Sequence, residues 1–386
     1  MVLTARRSEP VTLLQRERAL RPDLGLILSY LALSGLGLVM IYSASAPRLL
    51  AEGRSPTELV RRQLLFVVIG IGAFILASLA EHRALRMLTP IVYGVSLATL
   101  VAVLVLNDDS VRRWIDIGVF RFQPSEMAKI AVILALAATL ARSYDKAMRW
   151  QEMAQAIILV LIPAALIFLQ PDLGTMLVFA FVAVVMVFSA GTTWRQFAFL
   201  GLSAVVASVS LFEVGAIKEY QVSRITAFLD PSADLANTGY NLAQSKIAIG
   251  SGGLFGRGLF QGQQTNLSFV PEQSTDFIFT AIGEQLGFVG ATVVIALFAV
   301  ITWRLLVAAA NGRDRFSQLI AVGVAAMIVF HAFVNIGMTV RLTPVTGLPL
   351  PFLSAGGTAY VAMSVAIGLG HSVWMRRSPV PVDADL

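Results

Sequence analysis

A carboxylate at the edge of a long apolar run is costly to keep there, and Asp276 is such a carboxylate. It follows Phe269-Val270-Pro271-Glu272-Gln273-Ser274-Thr275 and precedes Phe277-Ile278-Phe279. On a helix, Asp276, Thr280, Gly283, Glu284 and Gly287 share one face, while Phe277, Ile278, Ala281, Ile282 and Leu286 share the other. A polar stripe of that kind suits a cavity wall better than a lipid-facing surface. A carboxylate at its mouth can serve as a general base, taking a proton from an attacking hydroxyl. Asp276 or Thr275 can equally cap the helix, a position both residue types favour. Glu284, two turns deeper, adds weight to the polar cavity.

Cations form the second group. Val111-Arg112-Arg113-Trp114 precedes Phe122-Gln123-Pro124-Ser125-Glu126-Met127-Ala128-Lys129. Pro124-Ser125-Glu126 reads as a helix start with an acidic first turn. Ser125, Glu126 and Lys129 then share a face. Lys129 enters an apolar block, so it is either half of a structural ion pair or a cation that meets a phosphate. Arg112 and Arg113 beside Trp114 suit an interfacial anchor able to grip a lipid headgroup. Asp172, in Gln170-Pro171-Asp172-Leu173-Gly174-Thr175, either caps the next helix or faces the same cavity.

Arg224 and Lys246 lie in the long segment 213–276. There, residues 240–249 have an amphipathic helical pattern that suits the interface plane. The run Gly250-Ser251-Gly252-Gly253-Leu254-Phe255-Gly256-Arg257-Gly258 is a flexible loop or a backbone N–H cradle for a pyrophosphate. Pro344, Pro349 and Pro351 with Gly347, Gly356 and Gly357 exclude a regular helix across that stretch. An irregular apolar segment at membrane depth must be buried in protein or line a cavity, so it is a rigid re-entrant turn or a substrate contact.

The elements that must position these residues are membrane spans. The 386-residue chain is 57% hydrophobic and only 13% charged, and its apolar residues fall in long blocks. Ten blocks approach spanning length, at about 24–44, 63–80, 86–106, 125–142, 153–169, 174–190, 195–212, 277–309, 316–339 and 357–375. The expected fold is therefore an all-α polytopic membrane protein of about ten transmembrane helices, a single domain over 1–386. Segment 277–309 exceeds one perpendicular span and must tilt, project beyond the membrane or break near Gly287 and Gly290. There is no cysteine, so no disulfide, thiolate nucleophile or Cys-ligated metal is available, and three histidines argue against a multi-His metal site.

Arg6, Arg7, Arg16, Arg18 and Arg21 precede the first block, which has no cleavage site and reads as an anchor. With an even number of spans, cytoplasmic termini (1–23 and 376–386) give the inner segments more Arg and Lys than the short outer loops. The net charge of +6 is thus read as topology rather than nucleic-acid binding. The large loop 213–276, between spans 7 and 8, then faces outside the plasma membrane. Nucleotide sugars are absent there, so an activated substrate must bring its own leaving group, and a lipid pyrophosphate fits.

Several motifs occur in order: Arg113-Trp114; Phe122-Gln123-Pro124-Ser125-Glu126 with Lys129; Gln170-Pro171-Asp172; Phe228-Leu229-Asp230-Pro231; Gly239-Tyr240 with Gln244-Ser245; the glycine run; Thr275-Asp276-Phe277; and Pro344-Val345 through Pro349-Leu350-Pro351-Phe352. By these the chain resembles the SEDS family (shape, elongation, division, sporulation) over nearly all its length. Gly262-Gln263-Gln264-Thr265-Asn266-Leu267-Ser268-Phe269 is more similar to its RodA branch than to its FtsW branch. The chain departs from the family at Ser274, Gln285, Arg341 and Ala355. The resemblance implies a ten-span peptidoglycan glycosyltransferase of cell elongation, with Asp276 as its essential carboxylate. It also implies lipid II as substrate and a class B penicillin-binding protein as partner.

The expected reaction is an inverting displacement on an undecaprenyl-pyrophosphate-linked glycan, with Asp276 as base. Arg113, Lys129, Arg224 and Lys246 would offset the leaving group's charge, with a divalent cation such as Mg2+ or Mn2+ as a possible addition that no motif shows. Glu126 and Glu284 complete the expected substrate-binding set. A flippase for the lipid-linked precursor and a non-catalytic membrane scaffold are the competing readings. A transporter has little need of a base at the outer interface, and a scaffold would be indifferent to loss of Asp276.

Overall fold

The computed structural model describes residues 21–106, 113–118, 120–142, 148–215, 222, 224, 226, 228 and 238–377. Arg112, Asp230, Pro231 and the tail beyond Arg377 lie outside the described residues. The helices are α1 (Leu24–Ala51), α2 (Glu58–Leu79), α3 (His82–Leu106), α4 (Pro124–Leu140), α5 (Trp150–Leu169), α6 (Leu173–Ser189) and α7 (Trp194–Glu213). After the long loop's α8 (Thr238–Gly252) and α9 (Gln263–Asn266) come α10 (Ile278–Ala310), α11 (Arg315–Thr339) and α12 (Gly357–Met375).

Each of the ten apolar blocks coincides with one of these helices. Seven helices (α1, α2, α3, α5, α10, α11 and α12) are long and apolar enough to cross a membrane. Among the described residues, α6 is apolar but has 17 residues and so falls short of spanning length, while α4, also of 17 residues, carries the charged Glu126 and Lys129. The chain is not purely helical: Ile115–Ile117 (β1) and Phe120–Phe122 (β2) form an antiparallel ribbon, with Ile115 opposite Phe122. Thr358 Oγ1 donates to the Arg121 carbonyl at 2.8 Å and ties that ribbon to the start of α12.

α4, α11 and α12 are buried along most of their length and form the centre, whereas α3 and α5 expose many apolar side chains. α2 and α12 approach closely because glycines leave the room. A Cβ at Gly70 would meet the Tyr360 ring at 2.5 Å, and one at Gly368 would meet the Phe74 carbonyl at 2.6 Å. Tyr30, Ser34, Tyr360 and Ser364 join hydroxyls in this buried seam, so no described member of the seam lacks a partner.

α10 breaks at Gly287, where φ is 67° and ψ is −163°. Only glycine adopts that geometry readily. The break frees backbone groups that lipid cannot satisfy, and the glycine run satisfies them. Phe288 N–H donates to Gly253 O and Val289 N–H to Leu254 O, while Arg257 N–H donates to Glu284 O and Gly258 N–H to Gln285 O. A Cβ at Gly256 would lie 2.1 Å from Gln285 O, so the two backbones touch. The N–H groups of Arg257 and Gly258 are thus spent on α10, and that of Gly256 on Gly252 O, rather than forming a cradle for pyrophosphate.

Candidate active site

Asp276 immediately precedes α10, and it does not cap it. The N-cap residue is Phe277, with no side-chain cap bond, and Thr275 Oγ1 turns to Glu272 instead. The turn is fixed through its backbone. Asn335 Nδ2, from α11, donates to Asp276 O and Leu348 O, each at 2.7 Å. Ser354 Oγ donates to Thr275 O at 2.5 Å, and Ala355 N–H to Ser274 O at 2.9 Å. The segment 342–356 therefore wraps the Asp276 turn as an irregular apolar strap, the form its prolines and glycines dictate, and is buried from Leu350 to Ser354. Beneath the turn, Leu242, Val270, Phe277 and Met338 form a small separate apolar cluster with Val345 against it.

The carboxylate itself receives no hydrogen bond from any described residue and is half-buried. Its close neighbour in the strap is Gly347, at φ 77°, where a Cβ would stand 3.4 Å from Oδ2. Burial pushes the Asp276 carboxyl up to about 6, and Glu272 adds to the rise. Arg224 and then Arg113 pull against it, and Asp172 adds a last push. Two guanidinium groups and three carboxylates thus share one electrostatic neighbourhood.

Each neighbour is held by a separate element. Arg224 donates to Thr346 O at 3.0 Å, from the long loop onto the strap. Arg113 donates through Nε to Gln170 O at 3.1 Å and through Nη2 to Pro171 O. Asp172 caps α6, accepting from Thr175 N–H at 3.2 Å and Thr175 Oγ1 at 2.9 Å. A Cβ at Gly174 would meet Leu348 at 2.9 Å, so the α6 turn presses on the strap. Arg113, Asp172 and Arg224 are brought to the Asp276 turn from segments far apart in sequence.

Four expected site residues, Glu126, Lys129, Lys246 and Glu284, are placed differently. Glu284 is fully buried, and its carboxylate accepts from Gln264 N–H at 2.7 Å, Thr265 N–H at 3.0 Å and Thr265 Oγ1 at 2.7 Å. It clamps the start of α9 to α10, and that clamp occupies both its oxygens. Lys246 is exposed on α8. Lys129 is buried between α4 and α11, with Nζ 2.8 Å from Glu126 Oε1 and 3.0 Å from His331 Nε2. His331 Nδ1 faces the Met327 carbonyl at 2.8 Å, so that nitrogen carries the proton and Nε2 accepts from the ammonium.

His331 and Asn335 were not singled out in the sequence. Their signal was nonetheless present: two polar side chains four residues apart inside the apolar block 316–339, hence on one helical face. Glu272 was visible as a residue but not as an electrostatic partner, because a carboxylate four residues from another on a turn has no fixed distance to it.

Known proteins are similar to this chain. A family model described as "Cell cycle protein", covering FtsW, RodA and SpoVE, matches residues 24–378. Stage V sporulation protein E of Bacillus subtilis is 36% identical over 353 residues, covering 90% of this chain and 95% of its own. The peptidoglycan glycosyltransferase MrdB of Escherichia coli is 34% identical over 357 residues, covering 92% and 94%. A solved chain from a study of polymerization and crosslinking by a peptidoglycan synthase complex is similar with a TM-score of 0.77 and 31% identity, covering 92% of this chain and 98% of that one. A match from the first span to the last, over relatives of the same length, leaves one conclusion: the chain belongs to the FtsW, RodA and SpoVE family, the SEDS proteins.

Proposed function

We propose that this protein is a peptidoglycan glycosyltransferase that polymerises lipid II into glycan strands on the outer face of the plasma membrane. The observation that carries the reading is Asp276: a carboxylate with no capping duty, free of hydrogen bonds from described residues, raised to about 6 and flanked by Arg113 and Arg224. In the reaction, the 4-hydroxyl of an incoming lipid II attacks the anomeric carbon of the growing lipid-linked strand. Asp276 takes the hydroxyl proton as the new C–O bond forms. The old bond to pyrophosphate breaks on the opposite face, inverting the anomeric centre, and the undecaprenyl pyrophosphate departs with the electron pair. Arg113 and Arg224 offset its charge.

The donor set does not fit a resident cation. Among the described residues no three His, Asp or Glu side chains cluster as ligands, and Asp172 is already engaged by Thr175. A divalent ion in this reading travels on the pyrophosphate of the substrate. The likeness to a synthase-complex chain supports a class B penicillin-binding protein as partner transpeptidase, and the RodA-like segment 262–269 supports a role in elongation.

The experiment is polymerisation of purified lipid II by the reconstituted protein, alone and with its partner, for wild type and Asp276→Asn. Asn keeps the shape and one acceptor oxygen but accepts no proton at neutral pH. The expected loss is about 10²–10⁴-fold in rate. Full-rate strand synthesis by Asp276→Asn at wild-type protein levels would remove the base assignment.

A further inference from the structure

The glycine run that repairs the α10 break also carries an apolar tip with no protein cover. Leu254 is 64% exposed and Phe255 81% exposed, and Phe288 beside them on α10 is 66% exposed. Their mutual height is set by backbone bonds, since Gly253 O and Leu254 O accept from Phe288 and Val289.

That height can be measured against the membrane. α1 and α10 are tied twice by polar contacts. Asp23 meets Arg304 at 2.8 Å at one end, and Ser43 Oγ donates to Gln285 Oε1 at 2.8 Å at the other. At about 1.5 Å per helical residue, the two ties are roughly 30 Å apart along either helix, the thickness of a bilayer's hydrocarbon core. Below the upper tie, α10 shows lipid a continuous apolar belt that includes Val289, Val293, Ile295 and Trp303. The tip therefore stands at the upper edge of that belt, where hydrocarbon gives way to headgroups. Arg257, exposed in the same loop, is pinned by its N–H to Glu284 O, just above the tie.

We propose that Leu254 and Phe255 insert into the outer leaflet beside Phe288, with Arg257 at the level of the lipid phosphates. The loop is then an interfacial anchor of α10. The amphipathic pattern fits, because an apolar pair next to a cation is the composition of a segment lying at a lipid surface. The occupant is the bilayer and not a protein, because the tip continues the lipid-facing belt of α10 at a depth fixed by four backbone hydrogen bonds.

The native chain has no cysteine, so single-site labelling is clean. Phe255→Cys, Leu254→Cys, Phe288→Cys and Glu272→Cys are each spin-labelled in the full chain and reconstituted without partner into phosphatidylethanolamine–phosphatidylglycerol vesicles. Power saturation then compares collision with oxygen, which partitions into lipid, and with a nickel chelate, which stays in water. The labels at 254 and 255 should match that at 288, favouring oxygen, while the label at 272 favours nickel. Two variants at the tip guard against one of them failing to fold. Nickel accessibility at 254 and 255 equal to that at 272 overturns the proposal. Protection from nickel that appears only when a partner protein is added overturns it in favour of a protein-docking tip.

Discussion

Asp276 is gripped by its backbone while its side chain is left open. Asn335 and Ser354 fix the turn by its carbonyls, so the carboxylate's direction does not depend on its own bonding. Substituting it should therefore leave the fold intact. A carboxyl with a folded value near 6, above the ordinary 3.8, costs stability once ionised, because the unfolded chain gives up its proton more readily. Asp276→Asn removes that cost, and thermal denaturation at neutral pH should show the variant melting no lower than wild type. Activity follows the opposite arm. A base must be deprotonated, so polymerisation should rise with pH through about 6 and level above it. Glu272 raises the Asp276 value, so Glu272→Gln should move the acid limb to lower pH, read in a pH–rate profile against wild type. An unmoved limb would mean that the titration belongs to another group.

At the scale of elements, two helices carry charges through apolar surroundings by different means. α4 buries Lys129 between Glu126 and His331, which itself hangs on the Met327 carbonyl. Removing one partner of a buried pair costs about 3–5 kcal/mol, so Lys129→Ala should lower the melting temperature and the folded yield in detergent. His331→Ala, which leaves Glu126 with its lysine, should lose less. α10 instead carries Glu284, whose charge is spread over two N–H groups and a hydroxyl at α9. The ion pair of α4 was legible because three-residue spacing on a helix fixes its geometry. The break at Gly287 was legible as one of three outcomes, beside tilting and projection, because a 33-residue helix of about 50 Å overshoots the bilayer and its glycines mark the weak point. What Glu284 and the glycine run do was not legible, since both depend on contacts between α10 and residues 20 to 40 positions earlier. No periodicity encodes such contacts. The same holds for Arg113 and Arg224, whose types suggested phosphate chemistry but whose convergence on Asp276 depends on the turn before α6 for Arg113 and on the strap for Arg224.

The whole molecule has two unlike ends. Asp276, the ribbon, α8 and the strap gather at one. At the other, Asp23 and Arg304 pair, Arg304 and Arg377 stack on Trp374, and His82 bridges Ser317 and Ser372. With cytoplasmic termini, the Asp276 end faces outside. Glu272→Cys should then react with a membrane-impermeant maleimide in intact cells, and Arg149→Cys only after permeabilisation. The reverse pattern would turn the molecule over and take the outer-face chemistry with it.

The two polar ties between α1 and α10 have a consequence for the lipid the protein can work in. Because both ends of the pair are pinned, the helices cannot easily tilt against one another to absorb a bilayer of another thickness. Hydrophobic mismatch must then fall on the weak joint between the two ties, the helix break at Gly287. Asp276 lies beyond the upper tie at Gln285, just before the same helix begins. Reconstitution into phosphatidylcholines of stepped acyl-chain length should accordingly give maximal polymerisation where the hydrocarbon is about 30 Å thick, falling on both sides. A flat response across chain lengths would show that the break absorbs the strain without passing it to the carboxylate.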